Sequence, residues 1–187
     1  VEPCPHGWTR QFVGVGDECL EQTLWRGAPV VDSSVVLADC GSTWSPEGTV
    51  APLPVAEQLH GFLYEAHGVI NRSQHLSEFF AARGIQLVGD DVAYGVSSSL
   101  AELSPFISRF SIVDSLPFSP KGLRAKLKAL GWTSRTEFKK RSLKVDPDAI
   151  RREMQLPSHS HNAAFGVTFL FPWRGKAWAV LAERISD

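Results

Sequence analysis

Between Gly41 and Pro54 the chain runs Gly-Ser-Thr-Trp-Ser-Pro-Glu-Gly-Thr-Val-Ala-Pro-Leu-Pro, a composition that interrupts helix and strand alike and reads as a linker. Only about 40 residues stand ahead of it. Their pattern predicts a strand over 9–15, a short amphipathic helix over 18–26 and a second strand over 31–38. Two strands and one short helix bury too little apolar surface to be stable alone. This first piece must lean on the rest of the chain or on a neighbour. The whole, at 187 residues, suffices for one well-packed domain, or one domain with part of a second.

Beyond the linker, strand and helix periods alternate. Strands are expected at 61–64, 91–96, 107–113 and 133–141, with a closing hairpin at 165–171 and 177–182 across Pro172-Trp-Arg-Gly175. One helix is expected over 70–83, where Ile70, Leu76, Phe79 and Phe80 share a face and Gly84 stops it. Ser119-Pro120 opens another, with Leu123, Leu127 and Leu130 facing inward and Gly131 at its end. Asp146-Pro147 caps a third that runs to Met154. The order strand, helix, strand, strand, helix, strand, helix, hairpin points to an α/β (α+β) fold with helices packed on a mixed sheet.

Charge is concentrated in one part of the chain. Residues 121–152 carry eleven Lys and Arg against three acidic side chains, a local balance of +8, while residues 1–120 balance at −9 and the whole chain at −1. Dense cations attract phosphate backbones, so nucleic acid is the first partner to consider. Lys121, Arg124 and Lys128 lie on the outer and flanking faces of the helix that follows Ser119. In the strand after it, Phe138 and Lys140 face one side while Lys139 and Arg141 face the other. If the helix and strand surfaces adjoin, they form one phosphate-holding patch. Two plainer readings stand beside this one: cations solvate helix faces, and they guard sheet edges. Trp132 or Phe138 would offer a stacking face to a base unless packed in the core, which is the commoner fate of such rings.

Other chemistry finds little support. Gly14-Val15-Gly16 is the only Gly-x-Gly, and it lacks the third glycine and the helix of a dinucleotide loop. His159-x-His161 has no clustered Asp or Cys partners and reads as a Ser/His-rich loop; Asp90-Asp91 reads as a turn. Cys4, Cys19 and Cys40 are odd in number and irregularly spaced, which favours a reducing, cytoplasmic setting over a disulfide framework. No segment has the run of about 20 apolar residues of a membrane span, and no signal peptide is seen. The chain begins with Val1, and its one methionine is Met154, so it is expected to be a piece of something longer rather than a product of an alternative start codon.

Several stretches together resemble one family, the bacterial class I S-adenosylmethionine (SAM)-dependent methyltransferases that end in a THUMP-like domain. Leu116-Pro-Phe-Ser-Pro-Lys-Gly-Leu-Arg-Ala-Lys-Leu-Lys-Ala-Leu-Gly131 resembles its Leu-Pro-Phe, Lys-x-Leu-Arg helix. Glu137-Phe-Lys-Lys-Arg141 and Val145-Asp-Pro-Asp-Ala-Ile-Arg-Arg152 are similar to its Lys-Lys-Arg and Val-Asp-Pro-Glu signatures. The segment from Phe165 to Ile185 resembles its terminal strands, and Leu63-Tyr64-Glu65 with Arg72 its first strand and helix. Asp17-Glu-Cys-Leu-Glu-Gln-Thr-Leu-Trp25 resembles an element near the end of the methyltransferase domain. The chain departs from the pattern at Ser142, where the family usually has glycine, and at Ala66, where it often has proline. The acidic-x-Gly-x-Gly cofactor loop is not in this sequence.

The resemblance implies that residues 1–44 are the C-terminal remnant of a class I methyltransferase domain, with the last strands of its Rossmann-like sheet. Residues 45–57 would be a linker and 58–187 a THUMP-like domain with a mixed sheet and packed helices. It further implies an RNA-binding, substrate-presenting role, on a transfer or ribosomal RNA, for a transferase whose SAM is bound by a domain outside this chain. Lys121, Arg124, Lys128, Lys139, Lys140 and Arg141 would hold phosphates. Two alternatives remain open. The chain could pair with a separate cofactor domain as an active enzyme, with Glu18, Glu21 and Trp25 near the catalytic face. Or it is a structural docking domain whose basic block meets its own acidic region, with no nucleic acid involved.

Overall fold

The computed structural model describes residues 4, 6–27, 33–47, 53, 55–89, 92–158 and 164–186. The start of the strand expected from residue 31, the Asp90-Asp91 turn and the His159/His161 loop lie outside the described residues. The fold is α/β (α+β) with two mixed sheets and four short helices among the described residues.

The first sheet has the order β2-β1-β3-β4, from β1 (Trp8–Val15), β2 (Glu18–Arg26), β3 (Ser33–Leu37) and β4 (Ser42–Trp44). The helix expected over 18–26 is therefore a strand. Leu20 and Leu24 have helical spacing, but Gly16-Asp17 makes a two-residue turn and β2 then pairs antiparallel with β1, from Val15 opposite Glu18 to Trp8 opposite Arg26. Leu20 and Leu24 are left exposed. β3 runs parallel to β1, and β4 returns antiparallel to β3.

The second sheet has seven strands in the order β6-β7-β5-β8-β11-β10-β9. They are β5 (Phe62–Ala66), β6 (Gln86–Gly89), β7 (Val92–Ser97), β8 (Ile107–Pro117), β9 (Glu137–Lys140), β10 (Val167–Trp173) and β11 (Lys176–Arg184). Only the β9–β10 pair is parallel, and α4 (Pro147–Met154) lies in its crossover. β8 is longer than expected because it pairs with two neighbours, β5 along its first half and β11 along its second. The sheet curls on itself. Tyr94 of β7 meets Phe169 and Phe171 of β10 at ring separations of 5.1 and 5.5 Å, though three strands intervene in the hydrogen-bonded order. Leu63, Tyr94, Phe110, Phe169, Phe171, Val180 and Ala182 fill the concave side.

The helices cover the convex side. The helix expected over 70–83 is two, α1 (Gly68–Ser73) and α2 (Leu76–Ala81), because Gln74 takes a left-handed conformation (φ 65°) that ends the first. Ile70, Phe79 and Phe80 are fully buried, with Leu76 packed beside them, and Gly84 (φ 64°) closes α2 as expected. This pair lies between the sheets. Phe12, Val35 and Leu37 of the first sheet share a core with Ile70, Phe79, Phe80 and Tyr64. α3 (Pro120–Ala129) and α4 cover β9, β10 and β11 through Leu123, Leu127, Trp132, Phe138, Ile150 and Met154. Both caps behave as their residues predict: Ser119 Oγ accepts from Gly122 N–H (3.2 Å) and Asp146 Oδ1 from Asp148 N–H (3.0 Å).

Within the expected linker, β4 joins the first sheet. Ala56, fully buried, donates its N–H to Leu87 O (2.7 Å) and accepts from Trp173 Nε1 (3.2 Å), which ties the end of that stretch across the curl of the second sheet.

Candidate functional site

Strand alternation determines where the basic block goes. On β9, Phe138 turns to the α3–α4 core, so Lys140 faces the same side and is exposed, while Lys139 and Arg141 reach over the concave side. There they meet Glu65 of β5, which shares that side with Leu63. Lys139 Nζ bonds Glu65 Oε2, and Arg141 Nη2 lies 3.9 Å from Oε1. Tyr94 stands directly across from Glu65 on β7. Its phenol is pushed well above its ordinary range, first by burial and then by the Glu65 charge, with the Arg141 guanidinium working the other way.

Arg184, at the end of β11, completes this rim. Its guanidinium lies 4.9 Å from the Phe110 ring centroid and 3.7 Å from Glu137 Oε2. Together Lys139, Arg141 and Arg184 line a pocket of about 150 Å³ with Glu65, Ser108, Pro105, Ile107, Ala66, His67, Gly68 and Asp17. Three cations and two carboxylates line this polar cleft, and Glu137 pairs with Arg184 beside it. Arg141 and Arg184 are close to half exposed, and so open to a ligand.

The other wall comes from the first sheet. His67 Nδ1 accepts from Val69 N–H at 3.2 Å, capping α1, which leaves the Nε2 proton for the Gly16 carbonyl. Gly14 and Gly68 permit this approach. A Cβ at Gly14 would sit 3.0 Å from Glu18 O and 3.1 Å from His67 Cε1, and one at Gly68 would sit 2.8 Å from Asp17 O. The Gly14-Val15-Gly16 segment is therefore a seat for the His67 ring. No group of three or more metal-ligating side chains converges among the described residues.

The remaining predicted cations lie elsewhere. Lys121 and Lys128 are exposed on α3, and Arg124 donates to the Glu153 carbonyl at the end of α4. Lys126, their neighbour, pairs with Asp114 of β8. These helix cations lie on the side of the α3–α4 core, whereas Lys139 and Arg141 reach over the other face of the sheet to Glu65. Trp132 and Phe138 are 1% and 8% exposed in the α3–α4 core and offer no stacking face. Glu18, Glu21 and Trp25 are exposed on β2, where Trp25 Nε1 donates to Gln11 Oε1 (3.1 Å). Arg184, His67, Asp17 and Glu65 are site residues that sequence reasoning did not assign to a site: Arg184, Asp17 and Glu65 stand in the stretches that resemble the family, His67 in none, and only the fold brings the four together.

Comparisons with known proteins agree with this architecture. Residues 107–184, which run from β8 to the end of β11, match the family model described as THUMP domain-like. No curated protein matches the chain. Among solved structures, a crystal structure of a "putative methyltransferase" from Porphyromonas gingivalis W83 superposes with a TM-score of 0.71 at 12% identity, over 95% of this chain. That likeness is one of fold, and the chain spans only 46% of the length of that protein. No helix among the described residues is long and apolar enough to cross a membrane.

Proposed function

We propose that this chain is the RNA-holding, substrate-presenting part of a SAM-dependent methyltransferase, with SAM bound by residues outside it. The observation that carries the reading is the convergence of Lys139, Arg141 and Arg184 on one rim, where the THUMP-like segment meets the first sheet. On this reading residues 1–44 belong with a methyltransferase domain, and residues 58–187 form the RNA-holding unit beyond a linker at 45–57. Phosphates of a transfer or ribosomal RNA are held at the rim. Lys121, Arg124, Lys128 and Lys140 add a diffuse positive field on the outer face, which speeds encounter more than it fixes position. The three free cysteines accord with a cytoplasmic setting.

The test is anisotropy of labelled transfer RNA against this chain over a salt series. A micromolar Kd at low salt, with log affinity falling linearly in log salt, is the expected result. Absence of binding at low salt overturns the reading. A second reading, a docking domain without RNA, is favoured by the pairing of Lys139 and Arg141 with Glu65 and of Lys126 with Asp114. It predicts salt-induced destabilisation of the chain and no RNA binding.

Glu65 separates these readings further. Glu65→Gln removes the charge that engages Lys139 and Arg141, two cations the RNA reading needs for phosphate. It is expected to lower stability by about 2 kcal/mol through the lost charged hydrogen bond. RNA affinity, measured in the same assay, should rise about threefold as competition for the cations is relieved.

A further inference from the structure

Among the described residues from Phe62 onward, Phe165 is the aromatic ring left exposed. It is 44% exposed, whereas Trp132, Phe138 and Phe169 are buried. The Arg135 guanidinium lies 4.0 Å from its ring centroid. The backbone on both sides is fixed: Thr133 N–H donates to Ala164 O (3.2 Å), and Glu137 N–H donates to Gly166 O (3.0 Å). The pair is thus a flat, cationic, pre-positioned surface. It is next to the phosphate rim, because Glu137, two residues after Arg135, contacts Arg184, which lines the pocket.

We propose that an unpaired base of the bound RNA stacks on the Arg135–Phe165 platform while a neighbouring phosphate of the same strand lies at Arg141 and Arg184. The inference rests on the RNA-holding reading above and narrows its substrate to a single-stranded segment. A ring held under a guanidinium suits a base of any identity, since every base presents a π-face. In a duplex the bases are already stacked on one another and have no free face to offer.

The test uses the full chain and one labelled oligoribonucleotide in three forms: single-stranded, annealed to its complement, and carrying abasic positions. The wild type is expected to prefer the single strand to both other forms. Phe165→Ala should weaken single-strand binding about tenfold, leave duplex binding nearly unchanged and no longer distinguish the abasic strand. Arg135→Gln, which keeps the ring, should lose part of the same preference. Circular dichroism and a melting curve identify any variant that fails to fold, and Phe165→Tyr, which keeps a stacking ring, should restore the preference. If Phe165→Ala binds all three forms as the wild type does, or weakens all equally, the platform proposal is overturned and the Arg135 contact only shields a ring. If the wild type binds RNA without regard to pairing, this proposal alone falls. If it binds no RNA at low salt, the RNA-holding reading falls with it.

Discussion

The double variant Arg141→Gln, Arg184→Gln is expected to weaken transfer RNA binding on the order of 100-fold at low salt, since each lost charged hydrogen bond is worth about 1.5 kcal/mol or more. The slope of log affinity against log salt should fall by about 2, one unit for each phosphate no longer neutralised. Both side chains are nearly half exposed, and neither belongs to an apolar core cluster, so folding should survive the change. The matched control is Lys121→Gln with Lys128→Gln on the outer face of α3. That pair should weaken binding only a few-fold and equally for all RNAs, as contributors to a field do. A larger loss from the α3 pair than from the rim pair would move the RNA to the convex side and refute the rim as the holding site.

Phe169→Ala is expected to cost about 4 kcal/mol of stability, near the upper range for single substitutions. The ring is fully buried and lies 4.8 Å from Phe110 and 5.1 Å from Tyr94, so it ties β10 to β8 and to β7 across the hollow of the curled sheet. Backbone hydrogen bonds hold each strand only to its immediate neighbours; contacts of this kind hold the curl. Truncation leaves a void where three aromatic rings meet, and the surrounding strands cannot collapse into it without breaking register. Against a usual total of about 5–15 kcal/mol, the variant should melt about 10 °C lower in a calorimetric scan. Because the curl brings β9 opposite Glu65, the same variant should also lose RNA affinity. Phe169→Leu, which keeps most of the volume, should lose much less of both.

What could be read from the sequence was what short-range chemistry decides. Ser119-Pro120 and Asp146-Pro147 open helices where their capping atoms require, and Gly84 and Gly131 adopt the left-handed conformation that glycine permits (φ 64° and 68°). The alternation that separates Lys139 and Arg141 from Lys140 was also legible, since it needs only a strand of period two. Residues 18–26 were not, because Leu20 and Leu24 repeat at helical spacing and only pairing with β1 makes them a strand. Nor was the break at Gln74, a non-glycine residue at φ 65°. The division of the basic block depends on the curl of the sheet, which is set by ring contacts between residues more than 70 positions apart. Ser142 is instructive in both directions. Its departure from glycine was visible in the sequence, and its φ of 52° gives the reason glycine suits that position.

The shared core of the first sheet and the α1–α2 pair also bears on the order of events during synthesis. Phe12, Val35 and Leu37 emerge from a ribosome well before Phe79, Phe80 and Phe106, the rings that cover them. At about 5–20 residues per second, the roughly 70 residues between Leu37 and Ile107 take about 4–14 s to appear. For that interval the face of the first sheet that carries Phe12, Val35 and Leu37 lacks the α1–α2 rings that pack on it, and an uncovered apolar face favours misassociation with other nascent chains. The first sheet is therefore the segment in which a holding chaperone, or a slowed codon run after residue 107, would change the yield of native protein.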